Sequence, residues 1–311
     1  MRIVFFGTPE LAVPTLAAVA ERHEVAAIVC QPDRPQGRSN KPVACPTKSW
    51  GLEHDVPVIQ PTALNDGAFE TWLRIQAPDV CVLVAYGRIL KQPILDAPKH
   101  GFLNMHPSLL PRHRGPSPIH TAILSGDEVT GVTIMRLDAG MDTGDILLQE
   151  KAPILADDTT ASLSERLAGA GAVAMLRGIE QIETGRAVFT PQDQEGATVT
   201  RLFEKQDGQI RWGAGARGIH NLVRASIPWP VAHCMFHGVV TRICRTQVLD
   251  ETAEAPPGAV TRVERDRVVV ATGKGHLAIL EIQTPGKRVM SVGEFLRGHA
   301  ITAGDRFEDI S

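Results

Sequence analysis

The first thirty residues, MRIVFFGTPELAVPTLAAVAERHEVAAIVC (1–30), show the pattern on which the amino-terminal half of the chain is built. Two short apolar runs, Arg2 to Phe6 and Val25 to Cys30, stand on either side of a helix-sized stretch rich in alanine. This spacing predicts a strand, a crossover helix and a second strand parallel to the first. Both runs are apolar without alternation, which is typical of a parallel sheet covered by helices on both faces.

The same rhythm continues further along the chain. Strand-like runs lie at Val56–Ile59, Val80–Ala85 and Phe102–Met105, with a helix-like segment at Ala68–Ile75. A long amphipathic helix is predicted from Thr160 to Thr184, because its apolar positions recur every three or four residues. We therefore expect an α/β fold with a doubly wound, mostly parallel sheet of the Rossmann type.

The carboxyl-terminal third has a different texture. Residues 190–200, TPQDQEGATVT, are polar and without a period, as in a linker. Short β-branched segments separated by Gly or Pro follow at Val239–Cys244, Ala259–Val263, Val268–Ala271 and Leu277–Ile282. They predict a small β-barrel of the OB-like kind. We place a catalytic domain at residues 1–189, a linker at 190–206 and the barrel domain at 207–311.

The bulk composition narrows the class of protein. With 43% apolar and 22% charged residues the 311-residue chain is an ordinary globular protein, and its net charge of -3 argues against a globally basic nucleic-acid binder. Neither a signal-peptide pattern nor an apolar run of about 20 residues is present, so we expect a cytoplasmic protein with no membrane partner. Five scattered cysteines without a CxxC pair indicate buried free thiols.

The densest polar segment is GFLNMHPSLLPRHRGPSPI, residues 101–119. It places Asn104 and His106 two positions apart at the end of a predicted strand, so both side chains share one face of the sheet. In open α/β sheets ligands bind outside the carboxyl ends of the strands, where this pair would lie. Taken alone, the two residues fit a polar turn ended by Pro107 as well as they fit a functional site.

A second polar cluster, DAGMDTGD at residues 138–145, carries the carboxylates Asp138, Asp142 and Asp145. Turns recruit Asp for conformational reasons, so this cluster by itself indicates only a turn. If its flanking strand lies beside Phe102–Met105, one of these carboxylates can reach the imidazole. The two clusters together would then supply an acid, a base and an orienting group.

At these residues the sequence resembles the formyltransferase family that uses 10-formyltetrahydrofolate, in which an Asn-x-His pair precedes an SLLP motif and a distant Asp completes the site. The matching residues are Asn104, His106, Ser108 to Pro111 and Asp142. The resemblance extends over nearly the full chain, through FFGTPE (5–10), AYGRIL (85–90), GVTIMRLDAGMDTGDIL (131–147) and PWP (228–230). It implies that Asn104, His106 and Asp142 are catalytic, that 10-formyltetrahydrofolate is the co-substrate, and that no metal is needed.

The resemblance also implies which residues bind folate and which role each of the three catalytic residues has. The folate-binding residues it implies are Arg88, Ile89, Leu90, Ser108, Leu109, Leu110 and Pro111. For the leucines, ordinary core packing explains their apolar character equally well. Asn104 would donate a hydrogen bond to the developing oxyanion, His106 would donate a hydrogen bond or a proton, and Asp142 would orient the imidazole and pass a proton through water.

The acceptor is indicated by two further stretches, QPDRPQGR (31–38) and TPGKRVMS (284–291). They most resemble the branch of the family that acts on initiator methionyl-tRNA and gives formylmethionyl-tRNA for translation initiation. On that basis we expect a monomer that binds tRNA through basic side chains of a loop near the amino terminus and of the barrel domain, namely Arg34, Arg38, Lys41, Lys205, Lys287 and Arg288. For the residues of the loop, a solvated run of charges is the alternative.

Other functions explain fewer of these features. A formyltransferase acting on a sugar nucleotide or another small amine would share the catalytic residues, so only the basic loop and the second domain discriminate against it. The first strand ends in a turn with one glycine, which disfavours a dinucleotide dehydrogenase. Four histidines, His100, His106, His113 and His120, are spaced by six, seven and seven residues without an HExxH element, which disfavours a metal-dependent hydrolase. A non-catalytic tRNA-binding protein would have no use for the intact trio.

Overall fold

The structure is a computed structural model that describes residues 1–35, 42–252 and 254–310. The chain forms two compact units. The first comprises Met1–Pro118, Val129–Pro153 and Ser164–Arg201, and the second comprises Ile119–Glu128, Ile154–Leu163 and Leu202–Ser311.

The first unit is organised around a seven-stranded sheet and a two-stranded hairpin. Its strands are β1 (Arg2–Gly7), β2 (Glu24–Val29), β3 (Arg34–Pro35), β4 (Pro42–Val43), β5 (Val58–Ile59), β6 (Val80–Val84), β7 (Phe102–His106), β8 (Val129–Arg136) and β9 (Ile146–Pro153). The helices, numbered along both units, are α1 (Val13–Ala20), α2 (Pro46–Glu53), α3 (Ala68–Gln76), α4 (Gln92–Leu95), α5 (Pro118–Ser125), α6 (Thr160–Glu183), α7 (Ala216–Ala225) and α8 (Val292–Phe295).

The order of the large sheet is β5-β2-β1-β6-β7-β8-β9. The strands from β5 to β7 are parallel, and the chain changes direction across the sheet between β1 and β6, so the predicted doubly wound, mostly parallel sheet is confirmed. The sequence pattern did not reveal that β8 and β9 run antiparallel to their neighbours. β8 is buried along most of its length, as the parallel strands are, so its direction is not encoded in its composition. β9 differs, because it carries Gln149, Glu150 and Lys151 and is only partly buried.

The core of this sheet is rich in aromatic side chains. Phe6 of β1 is buried and packs edge-on against Phe69, Tyr86 and Phe102, with ring centroids 5.0 to 6.1 Å apart. Burial of each large apolar side chain contributes roughly 1.5–3 kcal/mol to stability. On the other face α6 approaches β7 closely, because a Cβ at Gly171 would lie 2.9 Å from the Met105 side chain. The sheet therefore holds β7 between a rigid aromatic cluster and a helix.

The second unit contains an antiparallel sheet of the half-barrel kind, in the order β12-β13-β14-β11-β10-β16 with β15 paired to β14. Its strands are β10 (His233–Phe236), β11 (Val239–Leu249), β12 (Val260–Val263), β13 (Val268–Ala271), β14 (His276–Gln283), β15 (Met290–Ser291) and β16 (Phe307–Glu308). Trp212, Phe236 and Phe307 are buried in its core, whereas Trp229 is half exposed. The small β domain expected from the sequence is confirmed.

Three further expectations meet the structure. Cys30, Cys45, Cys81 and Cys234 are buried free thiols as predicted, and Cys244 is half-buried. The segment predicted as a linker lies partly in the first unit, which extends to Arg201, and the domain boundaries drawn from the sequence stay a prediction. In the described ranges, no helix has both the length and the apolar character that a membrane span requires.

Candidate active site

Strand β7 carries Asn104 and His106 at its carboxyl end. It lies between β6, where Leu83 is the register partner of Asn104, and β8, where Thr133 is the partner of His106. Both side chains are only 5% exposed. A strand held on both sides fixes their backbone positions, which a surface loop would not do.

Both ring nitrogens of His106 have a polar neighbour. Nε2 lies 2.9 Å from the carbonyl oxygen of His113, and Nδ1 lies 3.5 Å from Oδ2 of Asp142. Because a carbonyl only accepts hydrogen bonds, Nε2 must be the protonated nitrogen and Nδ1 faces the carboxylate. Burial lowers the pKa of His106 below its ordinary value, against the opposing effect of the Asp142 charge. The neutral imidazole and Asp142 together can therefore take up one more proton.

Asp142 occupies a strained position that several groups stabilise. Its backbone is left-handed, with φ of 56°, and its Oδ2 accepts a hydrogen bond of 2.8 Å from the backbone N–H of Gly115. Gly115 has φ of 102°, and a Cβ there would lie 2.8 Å from the Thr200 carbonyl oxygen, so only glycine fits. The structure thus brings the three catalytic candidates together, with the carboxylate contacting the imidazole as the sequence predicted.

The Asn104 amide differs from its neighbours in being unengaged. In the part of the chain that the structure describes, its side chain makes no hydrogen bond, although 95% of the residue's surface is buried. A buried polar group normally has a partner, because leaving it without one is costly. The amide N–H groups are therefore available to a ligand at the end of β7.

Sequence reasoning missed three residues around this trio: Arg114, Gly115 and Gln192. Gln192 falls in the stretch predicted as a linker, and nothing in its polar surroundings distinguishes it from a solvated glutamine. Arg114 belongs to a run of basic residues that resembles an exposed segment. Arg114 is 6% exposed and Gln192 is 7% exposed, and such burial is unusual for a charged or an amide side chain.

The residues implied for folate after β6 have mixed environments. Arg88 donates from Nη1 to the Pro61 carbonyl at 2.9 Å and from Nη2 to the Thr62 carbonyl at 3.0 Å, so its guanidinium already braces a neighbouring segment. Ile89 is 84% exposed, whereas Leu90 is buried. The exposed isoleucine is the one of the three that presents an apolar surface to solvent.

The second folate-implied stretch, Ser108 to Pro111, is tied down by hydrogen bonds. Ser108 Oγ donates to the Arg112 carbonyl at 2.7 Å, and the Thr133 hydroxyl donates to the Ser108 carbonyl at 2.7 Å while accepting from the Leu110 N–H at 3.1 Å. Leu110 is 3% exposed and Leu109 is half-buried, which fits packing for Leu110 in particular. Because these hydrogen bonds fix its backbone, the segment forms a preformed wall that a ligand can contact through backbone groups and side-chain edges.

The basic residues implied for tRNA belong to separate parts of the structure. Arg34 is exposed in β3, and Arg38 and Lys41 lie outside the described residues. Lys205 is exposed in a 3₁₀ turn of the second unit, and Lys287 and Arg288 are exposed between β14 and β15. Arg288 is paired with Glu294 at 2.7 Å, so part of its charge is already neutralised.

A cleft of about 370 Å³ lies at the carboxyl ends of β1 and β6, where the sheet reverses its order. It is lined by Thr8, Pro9, Gln31, Pro32, Asp33, Arg34, Val43, Cys45, Ala85, Tyr86 and Gly87. Asp33 in this lining is held by Lys48 Nζ at 2.6 Å and Gln60 Nε2 at 2.7 Å, which lowers the pKa of its carboxyl group. Among the described residues, no cluster of His, Cys, Asp or Glu side chains suited to a metal was found.

Comparison with known proteins gives a consistent family. The family described as formyl transferase matches residues 1–179, and its C-terminal domain matches residues 203–300. A methionyl-tRNA formyltransferase from Acetivibrio thermocellus is 43% identical over 307 residues, which is 98% of this chain and 99% of that protein.

Solved structures share the fold at lower identity. An N-formyltransferase from Helicobacter canadensis, in complex with folinic acid and dTDP-3-aminofucose, has a TM-score of 0.68 and 19% identity over 91% of this chain and 98% of its own. HypX from Aquifex aeolicus, in complex with tetrahydrofolic acid, has a TM-score of 0.65 and 20% identity over 96% of this chain, which spans 48% of that longer protein.

Proposed function

The chain belongs to the formyl transferase family, and from that membership we propose that it moves the formyl group of 10-formyltetrahydrofolate to the amino group of methionyl-tRNA. The observation that carries this proposal is the contact of His106 with Asp142 beside the unengaged Asn104 amide. Methionyl-tRNA is the acceptor that the relative's name supports. The proposed acceptor is the initiator methionyl-tRNA, and the proposed product is formylmethionyl-tRNA.

A folate, whose flat pterin ring has apolar faces and a polar edge, fits the surroundings of Asn104. Ile89 follows β6 and Met141 precedes Asp142, and these two large apolar side chains are 84% and 52% exposed. Large exposed apolar residues beside a polar site are typical of ligand contacts. In this proposal Ile89, Leu109 and Pro111 contact the ring system, whereas Arg88, Leu90, Ser108 and Leu110 hold the two walls in place.

The cleft at the switch between β1 and β6 is proposed to receive the aminoacyl end of the tRNA. Ligands of open α/β sheets bind at such reversals of strand order. The cleft lies at the same edge of the sheet as Asn104 and His106, because β6 separates β1 from β7 and neighbouring strands are about 4.8 Å apart.

Asn104 supplies the electrostatic part of the proposed reaction. As the amine attacks the formyl carbon, negative charge develops on the formyl oxygen, and the Asn104 N–H can donate a hydrogen bond to it. Because the amide is buried and already in place, little reorganisation is needed at the moment of reaction. A single donor of this kind typically lowers the barrier by about 3 kcal/mol.

His106 and Asp142 handle the proton. The attacking nitrogen becomes positively charged and must lose a proton, and the folate nitrogen that leaves must gain one. The pair takes up the first proton, because Nδ1 of the neutral imidazole and the carboxylate are both acceptors, and then returns a proton to the leaving nitrogen. The hydrogen bond from Nε2 to the His113 carbonyl keeps the ring in the required tautomer throughout.

The experiment that tests this proposal uses the purified full-length chain with 10-formyltetrahydrofolate and one acceptor at a time. Initiator methionyl-tRNA should be formylated, and an amino-sugar nucleotide should not. The N104A variant should lower kcat by about 10²–10³-fold, with tRNA binding unchanged, because it removes one oxyanion donor. Failure to formylate methionyl-tRNA would contradict the proposed function. An effect of N104A on KM alone would contradict the role proposed for Asn104 as an oxyanion donor.

A further inference from the structure

Gln192 contacts the backbone of the loop that carries Asp142 and does not contact the Asp142 carboxylate. Its Nε2 donates to the carbonyl oxygen of Asp142 at 2.9 Å and to that of Gly144 at 2.8 Å, so both amide hydrogens hold the loop that carries Asp142. Its Oε1 accepts from Nε of Arg114 at 3.0 Å and from Nη2 at 2.7 Å. These four contacts use the full ordinary hydrogen-bonding capacity of one glutamine amide.

Arg114 holds Gln192 from the other side, and we call Gln192 and Arg114 together the clamp. Its backbone accepts from the Thr200 N–H at 2.7 Å and donates to the Thr198 carbonyl at 2.9 Å. The next residue, Gly115, donates the N–H that contacts the Asp142 carboxylate. The Arg114 side chain thus reaches the loop through Gln192, while its chain neighbour reaches the carboxylate directly.

Stability alone does not account for this arrangement. Arg114 is buried, and in the described residues its guanidinium contacts only the neutral amides of Gln192 and Gln194. Burying a charge without an opposite charge is costly, and well-packed apolar groups commonly serve a core better. Residues that break such local rules concentrate at functional sites.

We propose that Gln192, held by Arg114, is a positioning residue that sets the distance between the Asp142 carboxylate and Nδ1 of His106. Asp142 has a left-handed backbone and lies in a loop, so its carbonyl oxygen would be free to rotate without the clamp. The two Gln192 N–H donors fix the carbonyls on either side of Thr143, and the Gly115 N–H fixes the carboxylate. The kinetic consequence of this inference rests on the proposed function. Its structural consequence, the position of the Asp142 carboxylate relative to His106, rests on geometry alone.

The structural consequence can be read without any substrate. The Asp142 charge raises the pKa of His106, whereas burial and the neighbouring His113 lower it. If the loop moves, that opposing effect weakens, and the imidazole of His106 should titrate at lower pH in the Q192L variant than in the unaltered protein. NMR of the histidine ring nitrogens measures this shift directly.

The kinetic consequence separates positioning from binding. Q192L should lower kcat by about 10–100-fold with the KM for both substrates nearly unchanged, since a misplacement near 1 Å can cost about 10²-fold. Q192E should behave like Q192L, because it keeps the acceptor for Arg114 but loses both donors to the loop. Q194L is the matched control, since Gln194 also accepts from Arg114, at 3.1 Å, but does not contact the Asp142 loop.

Thermal unfolding of all three variants is measured alongside, so that a general loss of structure is recognised. Q192L with an unchanged His106 titration, or Q194L with the same loss of kcat as Q192L, would overturn the proposal. If Q192L fails to fold, Q192E retains the contact to Arg114, and its loss of kcat at unchanged KM gives the kinetic readout. Should methionyl-tRNA prove not to be the acceptor, the NMR titration still decides whether Gln192 positions Asp142.

Discussion

His106 shows how one residue's environment decides its chemistry. Its identity as a strand-end histidine next to Asn104 was predictable, because the two positions share a face of β7. Its protonation was not, since burial lowers the pKa against the opposing charge of Asp142, a carboxylate 36 positions further along the chain. The hydrogen bond to the His113 carbonyl was equally invisible, because it depends on the path of the chain after Pro111.

The pH dependence of the reaction follows from this residue. Transfer needs the neutral imidazole, and the pKa of His106 lies below the ordinary 6.5, so the acid limb of kcat/KM should fall below pH 6.5. H106Q should remove this limb and lower kcat/KM by about 10²–10⁴-fold. A pH–rate profile from pH 5 to 8 measures both effects.

His120 provides the control for that profile, because burial also lowers its pKa and it lies outside the candidate site. H120Q should keep the acid limb, which excludes protonation of this second buried histidine as its cause. The same shift predicts how stability depends on pH. A histidine whose pKa is lower in the folded than in the unfolded protein reduces the free energy of unfolding as the pH falls from 6.5 to the folded pKa. An acid limb at or above pH 6.5, or one that persists in H106Q, would contradict the role of His106.

At the scale of elements, the strands were easier to predict than their directions. The runs that became β6, β7 and β13 were found within about one residue of their bounds, because buried apolar strands have a clear composition. The antiparallel pairing of β8 was not readable, since it is decided by how the chain returns after α5. That pairing is nevertheless what places Thr133 opposite His106.

Thr133 is the point at which β8 holds the stretch from Ser108 to Pro111. Its hydroxyl donates to the Ser108 carbonyl, accepts from the Leu110 N–H and also lies 2.9 Å from Gln149 Nε2. T133V keeps the shape but leaves buried polar groups without partners, so it should lower the free energy of unfolding by about 1–3 kcal/mol. It should also raise the KM for 10-formyltetrahydrofolate, because the wall loosens. Urea denaturation and initial-rate kinetics measure the two effects.

The same strand supplies the matched control. Thr130 is also buried in β8, but its hydroxyl has no hydrogen-bond partner within the described ranges. T130V should therefore leave stability unchanged or raise it, and should leave the KM for folate unaffected. Equal losses of stability in T130V and T133V would show that the hydroxyl contacts of Thr133 carry no special weight.

At the scale of the whole molecule, tRNA binding depends more on the distribution of charge than on the net charge. A net charge of -3 gives no general attraction to nucleic acid, so tRNA binding must depend on local basic side chains. The family resemblance named such residues, but their pairing was not predictable, because it depends on which carboxylates fold next to them. Arg288 contacts Glu294, whereas Lys287 forms no ion pair in the described part of the chain.

This difference predicts unequal effects for two adjacent residues on the salt dependence of tRNA binding. K287A should reduce the slope of log Kd against log salt by about 0.7–0.9, because a phosphate contact is lost and fewer counterions are released. R288A should reduce it less, because Glu294 already offsets that charge and would be left unpaired. Fluorescence titration with methionyl-tRNA across a series of salt concentrations measures the slopes, and the KM for folate serves as the internal control. Equal slopes for K287A and the unaltered chain would show that Lys287 does not contact tRNA. A larger effect for R288A than for K287A would show that the pair with Glu294 opens when tRNA binds.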